Sequence, residues 1–176
     1  MMLDATQKFG ERLTKERLFD WHANLFPEVR KTAINSGWEL GETTVRDQCR
    51  YCPGQSVAHK IHYEAPMAAH IDSEMRKFLK WLDSNEQEDP LLKASIAHLW
   101  FVTIHPFEDG NGRIGRAIAE MCLARSDGGE QRFYSMSSQI LEERKGYYDV
   151  LERTQAGSPD ITEWLTWFLG CLDRAI

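Results

Sequence analysis

His105, Glu108, Asp109, Asn111, Arg113 and Arg116 crowd into one twelve-residue stretch, HPFEDGNGRIGR, at residues 105–116. An apolar, alanine-rich pattern of helical period follows it directly, so the stretch reads as a loop that turns into a helix. Gly110 and Gly112 flank Asn111 at that turn, where glycine permits a tight bend and close backbone approach. The first N–H groups of any helix lack an intrahelical acceptor and carry the positive end of its dipole, which makes a ready phosphate site. Arg113 and Arg116 fall in the first turn and project from neighbouring positions. Cations there oppose the dipole, a poor choice for stability and a good one for a polyanion, whose oxygens match the guanidinium fork.

Asp109 immediately precedes this cradle. A carboxylate beside bound phosphates repels them unless a hard cation intervenes, and Mg²⁺ typically takes one or two carboxylates plus substrate phosphates. Glu108 has the same chemistry, but alternation around the turn predicts that only one of the pair points inward. His105, at the mouth of the loop, can take a proton from a hydroxyl attacking phosphorus. Pro106 and Phe107 read as scaffolding. A lone histidine before proline, or a lone Gly-Asn-Gly turn, is ordinarily structural; the combination of base, carboxylate, anion cradle and paired arginines points to a site.

The elements that must hold this stretch are mostly helical. Thr14 is a predicted N-cap for a helix bearing Leu18, Trp21, His22, Leu25 and Phe26, stopped by Pro27; His22 reads as a core or boundary residue. Residues 28–66 are broken by Gly37, Gly41, Pro53, Gly54 and Pro66, and predict irregular loop plus a small β-hairpin over about residues 48–63. Ile71, Met75, Phe78, Leu79 and Leu82 share one helical face. Asp89 and Pro90 then read as N-cap and first residue of a helix through Leu92, Ile96, Leu99 and Thr103. It should end near Ile104, because the residue before Pro106 is steered out of the helical region. The motif helix should run from about Asn111 to Arg125, a long helix from about Ser137 to Gln155, and a last one from Asp160, with Glu163 completing a capping box. The expected fold is one all-α domain with a small hairpin.

At 176 residues, 42% of them hydrophobic, the chain is long enough for one domain with a sizeable core. A formal charge of −6 argues against nonspecific nucleic-acid binding. No apolar run is long enough to span a membrane and no signal pattern opens the chain, so a cytoplasmic location is expected. Cys122 and Cys171 sit in apolar helical contexts and read as small buried hydrophobes. Cys49 and Cys52 form a C-x-x-C followed by His59 and His62. That spacing matches no common zinc finger, and the favoured reading is a strand entering a turn at Pro53–Gly54.

The stretch at 105–116 also resembles the signature of the Fic family, H-P-F-x-[DE]-G-N-G-R-x-x-R, at every specified position. The segments HYEAP, DPLLKASIAHLWFVTIHPF and ERKGYYDVLERTQAG…ITEWLTWFL resemble Fic proteins too, extending the likeness over nearly the whole chain. The resemblance implies Mg²⁺-dependent transfer of AMP from ATP to a Ser, Thr or Tyr hydroxyl of a target protein. On that footing His105 is the general base and Asp109 holds Mg²⁺. Gly110, Asn111 and Gly112 form the anion hole, and Arg113 and Arg116 hold the outer phosphates. The hairpin, with Lys60, Ile61, His62 and Tyr63, is the flap on which a target segment docks by strand addition.

Tyr147 resembles a position that contacts adenine in some relatives. Eight residues later those relatives often carry Asn where this chain has Gln155, which leaves other donors, UTP or a phosphocholine donor, as alternatives, together with a silent binding core. Gly112 favours nucleotide transfer, since relatives that phosphorylate tend to have Lys there. Many Fic proteins also carry an inhibitory [S/T]-x-x-x-E-[G/N] helix whose Glu pairs with the second motif arginine, here Arg116. No good match occurs, and the opening MMLDATQKFGERLT resembles the interior of longer relatives. The expectation is a truncated chain, a minimal core, or a form restrained in trans by a small partner.

Overall fold

The computed structural model describes residues 1–27, 68–84, 88–128 and 134–176. Eight helices occur among them: α1 (Met2–Gln7), α2 (Lys15–Leu25), α3 (Ala68–Leu82), α4 (Pro90–Ile104), α5 (Asn111–Asp127), α6 (Met136–Glu142), α7 (Arg144–Ala156) and α8 (Thr162–Ala175). No strand occurs among the described residues, and the expected hairpin at 48–63 lies outside them. None of these helices is long and apolar enough to cross a membrane.

Local chemistry explains where the helices begin. The Thr14 hydroxyl accepts from the Arg17 N–H at 3.2 Å, and Asp89 Oδ1 accepts from Leu91 and Leu92 at 2.9 and 3.2 Å, with Pro90 at the first helical position. At the far end of α5, Gly128 takes the left-handed conformation (φ 63°) and its N–H donates to the Ala124 carbonyl.

α4 and α5 form the central antiparallel pair, and α4 also packs against α3 and α8. The deepest face of α4 is Ala94, Ala97, His98, Phe101 and Val102. The stripe expected from sequence, Leu92, Ile96, Leu99 and Thr103, lies on a shallower side, because α4 is apolar around most of its circumference and periodicity cannot rank its faces. Gly115 lets the two helices close: a Cβ there would sit 2.8 Å from Val102 Cγ1. Across the core, Trp164 of α8 donates its indole N–H to the Ser95 carbonyl at 3.0 Å.

Two expectations are corrected. The long helix over 137–155 is two helices, α6 and α7, broken at Glu143. Both Glu143 oxygens are engaged by Arg174 of α8 (2.7 and 2.6 Å), and Gln139 donates to one of them at 2.7 Å, so a tertiary clamp sits at the break. The capping box on α8 does not form. Asp160 accepts from the Thr162 N–H (2.9 Å) and hydroxyl, while Glu163 swings to Arg153 of α7 (2.8 Å), a charged partner that outcompetes a backbone amide.

Candidate active site

The loop at 105–110 joins the central pair, and its shape follows from three backbone features. His105 caps α4 in the left-handed region (φ 53°, ψ 55°), and its N–H donates to the Phe101 carbonyl at 3.0 Å. A non-glycine residue there carries about 1–2 kcal/mol of strain. Pro106 forbids continuation of the helix, so the chain leaves the α4 axis there. Gly110, at φ 88°, is the N-cap of α5, and a Cβ on it would meet Phe26 Cε2 at 2.9 Å. Asn111 is buried and closes the loop from within: Phe107 N–H donates to its Oδ1 at 3.0 Å, and its Nδ2 donates to the Phe107 carbonyl at 2.6 Å.

The start of α5 has no side-chain cap, and its first backbone bond runs from Ile114 N–H to the Gly110 carbonyl at 3.0 Å. Among the described residues, the N–H groups of Asn111, Gly112 and Arg113 therefore find no acceptor. These are three adjacent donors at the positive end of a 17-residue helix. Gly112 has nothing within 4 Å of where a Cβ would be among the described residues.

Around this cradle, Arg113 lies with its guanidinium carbon 4.8 Å from the Phe26 ring centroid and its Nη2 3.4 Å from Asp109 Oδ2. Arg116 is half-buried and makes no hydrogen bond or ion pair among the described residues. The His105 Nδ1 lies 3.3 Å from the Val102 carbonyl oxygen, which can only accept. Nδ1 therefore carries the proton of the neutral ring, and Nε2 is the basic nitrogen. Glu108 and Asp109 are both exposed. Asp109 differs in bending back, its Oδ1 accepting from the Gly110 N–H at 2.6 Å.

The chemistry suits Mg²⁺ held jointly with phosphates. Asp109 is a single hard carboxylate at the rim, and magnesium commonly uses one such group when phosphates supply the rest. No group of three or more His, Cys, Asp or Glu gathers into a metal cage among the described residues. Cys49, Cys52, His59 and His62, and the flap residues Lys60, Ile61, His62 and Tyr63, lie outside those residues.

Three supporting residues carried little sequence signal. His22 stacks on Phe107 (centroids 4.4 Å apart, 15° between planes), and burial holds its pKa below the ordinary value against the raising influence of Asp109. His98 is fully buried under Gly115 and shares a 3.0 Å hydrogen bond, through Nε2, with the Tyr147 hydroxyl. Burial, aided by the Arg116 charge, lowers its pKa to about 3, so it stays neutral; burial also raises the Tyr147 phenol. Tyr147 thus sits in the core, between His98 and Trp164, not at the surface of the cradle. Phe26 had a hint too, as an apolar residue just before the helix-stopping Pro27.

Gln155 donates to the Thr103 hydroxyl at 3.1 Å, on the wall of a groove of about 420 Å³ between α4 and the end of α7. Cys122 and Cys171 are buried free thiols, pushed up to about 11 and about 12 by burial.

Comparison with known proteins places this geometry. A model of the Fic/DOC family matches residues 12–123, more than half of the chain. The chain is 30% identical over 113 residues to a protein adenylyltransferase Fic from Nematostella vectensis, covering 63% of this chain and 25% of that protein. It is 32% identical over 104 residues to one from Aedes aegypti, covering 58% of this chain and 19% of the other. The chain thus spans about a quarter or less of these curated relatives. Among solved structures, a Fic family protein from Desulfovibrio desulfuricans G20 superposes with a TM-score of 0.70 at 27% identity, over 99% of this chain and 49% of that one. With a three-donor cradle at residues 111–113 and a family match spanning it, the chain belongs to the Fic/DOC family.

Proposed function

We propose that this chain transfers AMP from ATP to a hydroxyl side chain of a target protein and releases pyrophosphate. The observation that carries the reading is the uncapped start of α5, where the N–H groups of Asn111, Gly112 and Arg113 lack acceptors beside two arginines and a histidine. Phosphate oxygens would accept from those three donors, and Arg113 and Arg116 would hold the outer phosphates. His105 Nε2 takes the proton as the target oxygen bonds to the α-phosphorus; the bond from that phosphorus to the bridging oxygen breaks, and pyrophosphate leaves with the electron pair. Mg²⁺ on Asp109, when bound, neutralises phosphate charge.

Asn111 contributes through its backbone N–H and by clamping Phe107, since its side chain is consumed by the loop. Tyr147 contributes from beneath the cradle, through His98. The target would dock on the segment containing Lys60, Ile61, His62 and Tyr63. An inhibitory partner acting in trans would address Arg116. A second reading is another nucleotide donor such as UTP, since Gln155 stands where adenine-using relatives often carry Asn. Incubation of a lysate with ATP or UTP carrying a labelled α-phosphate, followed by mass spectrometry, tests both. AMP on a protein hydroxyl supports the first reading; UMP alone supports the second; no label with either contradicts both.

A further inference from the structure

The end of α2 makes a platform that the proposed chemistry does not use. Phe26 is the C-cap of that helix, its N–H donating to the His22 carbonyl at 3.1 Å. Its ring touches two parts of the motif and one neighbour on its own helix. It lies 4.8 Å from the Arg113 guanidinium carbon, it would stand 2.9 Å from a Cβ at Gly110, and it meets the His22 ring at 4.9 Å. His22 in turn stacks on Phe107, the residue that Asn111 clamps. The Phe26 contacts with Gly110 and Arg113, and the His22 stack on Phe107, join the end of α2 to residues more than eighty positions later, so the arrangement is tertiary.

Arg113 needs such a support. Its side chain is partly exposed, and its ion pair with Asp109 is long at 3.4 Å. An arginine stem has many rotamers, and each one unavailable to the ligand lowers affinity. An aromatic face attracts the guanidinium through its π-cloud while leaving in-plane N–H groups to bond oxygens.

We propose that Phe26 is a positioning residue for Arg113, holding its guanidinium ready for the phosphates beyond the α-phosphate. The phosphate role of Arg113 rests on the function proposed above. The aromatic face, and not only its bulk, is what the proposal requires.

The test uses the full chain with Mg²⁺, measuring ATP and AMP binding by calorimetry for wild type, Phe26→Leu, Phe26→Tyr, Arg113→Ala and the double variant Phe26→Leu/Arg113→Ala. Thermal melting confirms that each is folded. Phe26→Leu should weaken ATP binding by about three- to tenfold, as expected for a lost cation–π contact, and change AMP binding less than about twofold. Phe26→Tyr should restore ATP binding, and Phe26→Leu should add nothing in the Arg113→Ala background. Equal losses for ATP and AMP, or a further loss in that background, overturn the proposal. A ligand-independent arm separates it from the function: the Arg113 Nε–H resonance should move in Phe26→Leu and stay near wild type in Phe26→Tyr. An unmoved signal in Phe26→Leu overturns the positioning. Failure of the wild type to bind ATP, with the signal still moving, overturns the phosphate reading and leaves Phe26 as the support of Arg113.

Discussion

The side chain of Asn111 satisfies both backbone groups of Phe107, accepting from its N–H at 3.0 Å and donating to its carbonyl at 2.6 Å. That pair turns residues 107–111 into a closed ring of hydrogen bonds at the start of α5. It explains why an asparagine, with one donor and one acceptor, stands between two glycines. Asn111→Ala removes both of these hydrogen bonds to the buried Phe107 backbone, and should cost about 2–4 kcal/mol of stability. Urea denaturation checks this; an unchanged midpoint would mean the ring is not what holds the loop.

The two glycines of α5 should respond in opposite ways. A Cβ on Gly112 would meet nothing within 4 Å among the described residues, so Gly112→Ala should leave stability within about 1 kcal/mol; if phosphates sit over the start of α5, the methyl should weaken ATP binding. A Cβ at Gly115 meets Val102 Cγ1 at 2.8 Å, and the stiff β-branched neighbour cannot yield cheaply. Gly115→Ala should therefore destabilise by about 1–3 kcal/mol. Thermal melting and calorimetry on both variants separate the roles. A reversed pattern would place Gly112 in packing and Gly115 at the ligand.

Arg116 makes no hydrogen bond or ion pair among the described residues, yet its charge reaches the buried His98–Tyr147 pair. If it holds terminal phosphates, Arg116→Ala should weaken ATP binding about ten- to a hundredfold, the range for a charge-assisted hydrogen bond, and weaken ADP binding less. Equal losses for the two nucleotides would assign Arg116 a structural role instead.

His98 makes stability pH-dependent with a definite sign. Its folded pKa is about 3 against an ordinary 6.5, so the unfolded chain binds the extra proton between those values. The contribution is complete above about pH 6.5 and is lost as pH falls from there toward about 3, at roughly 1.4 kcal/mol per pH unit. Denaturation at pH 7, 6 and 5 should show this slope in wild type. His98→Gln, whose amide can still meet the Tyr147 hydroxyl, should flatten it by about one proton. An identical slope in both proteins would place the titration elsewhere.

The sequence announced the site more fully than its supports. HPFEDGNGRIGR reads as an anion cradle because the chemistry is local: turn residues, helix dipole and arginines all lie within one loop and one turn. Thr14, Asp89 and Pro90 were legible for the same reason, each acting on its own helix. The partners of His98, Tyr147 and Phe26 were not, since they lie up to eighty-seven residues away, as between Phe26 and Arg113. The break at Glu143 and the unused capping box on α8 also escaped: Arg153 of α7 claimed the Glu163 carboxylate that local rules had assigned to the cap, and Arg174 of α8 bonds Glu143 at the break. Composition and period rank positions along one helix; they do not see which charge arrives from the next.

The central claim is that His105 takes a proton while the cradle holds ATP, and one measurement reaches it directly. Transfer of α-phosphate label from ATP to lysate proteins is compared between wild type and His105→Ala, with ATP affinity measured on the same preparations. The account predicts label on a protein hydroxyl with wild type, a fall of about a hundredfold or more with His105→Ala, and ATP affinity unchanged within about threefold. Undiminished transfer by His105→Ala would contradict it.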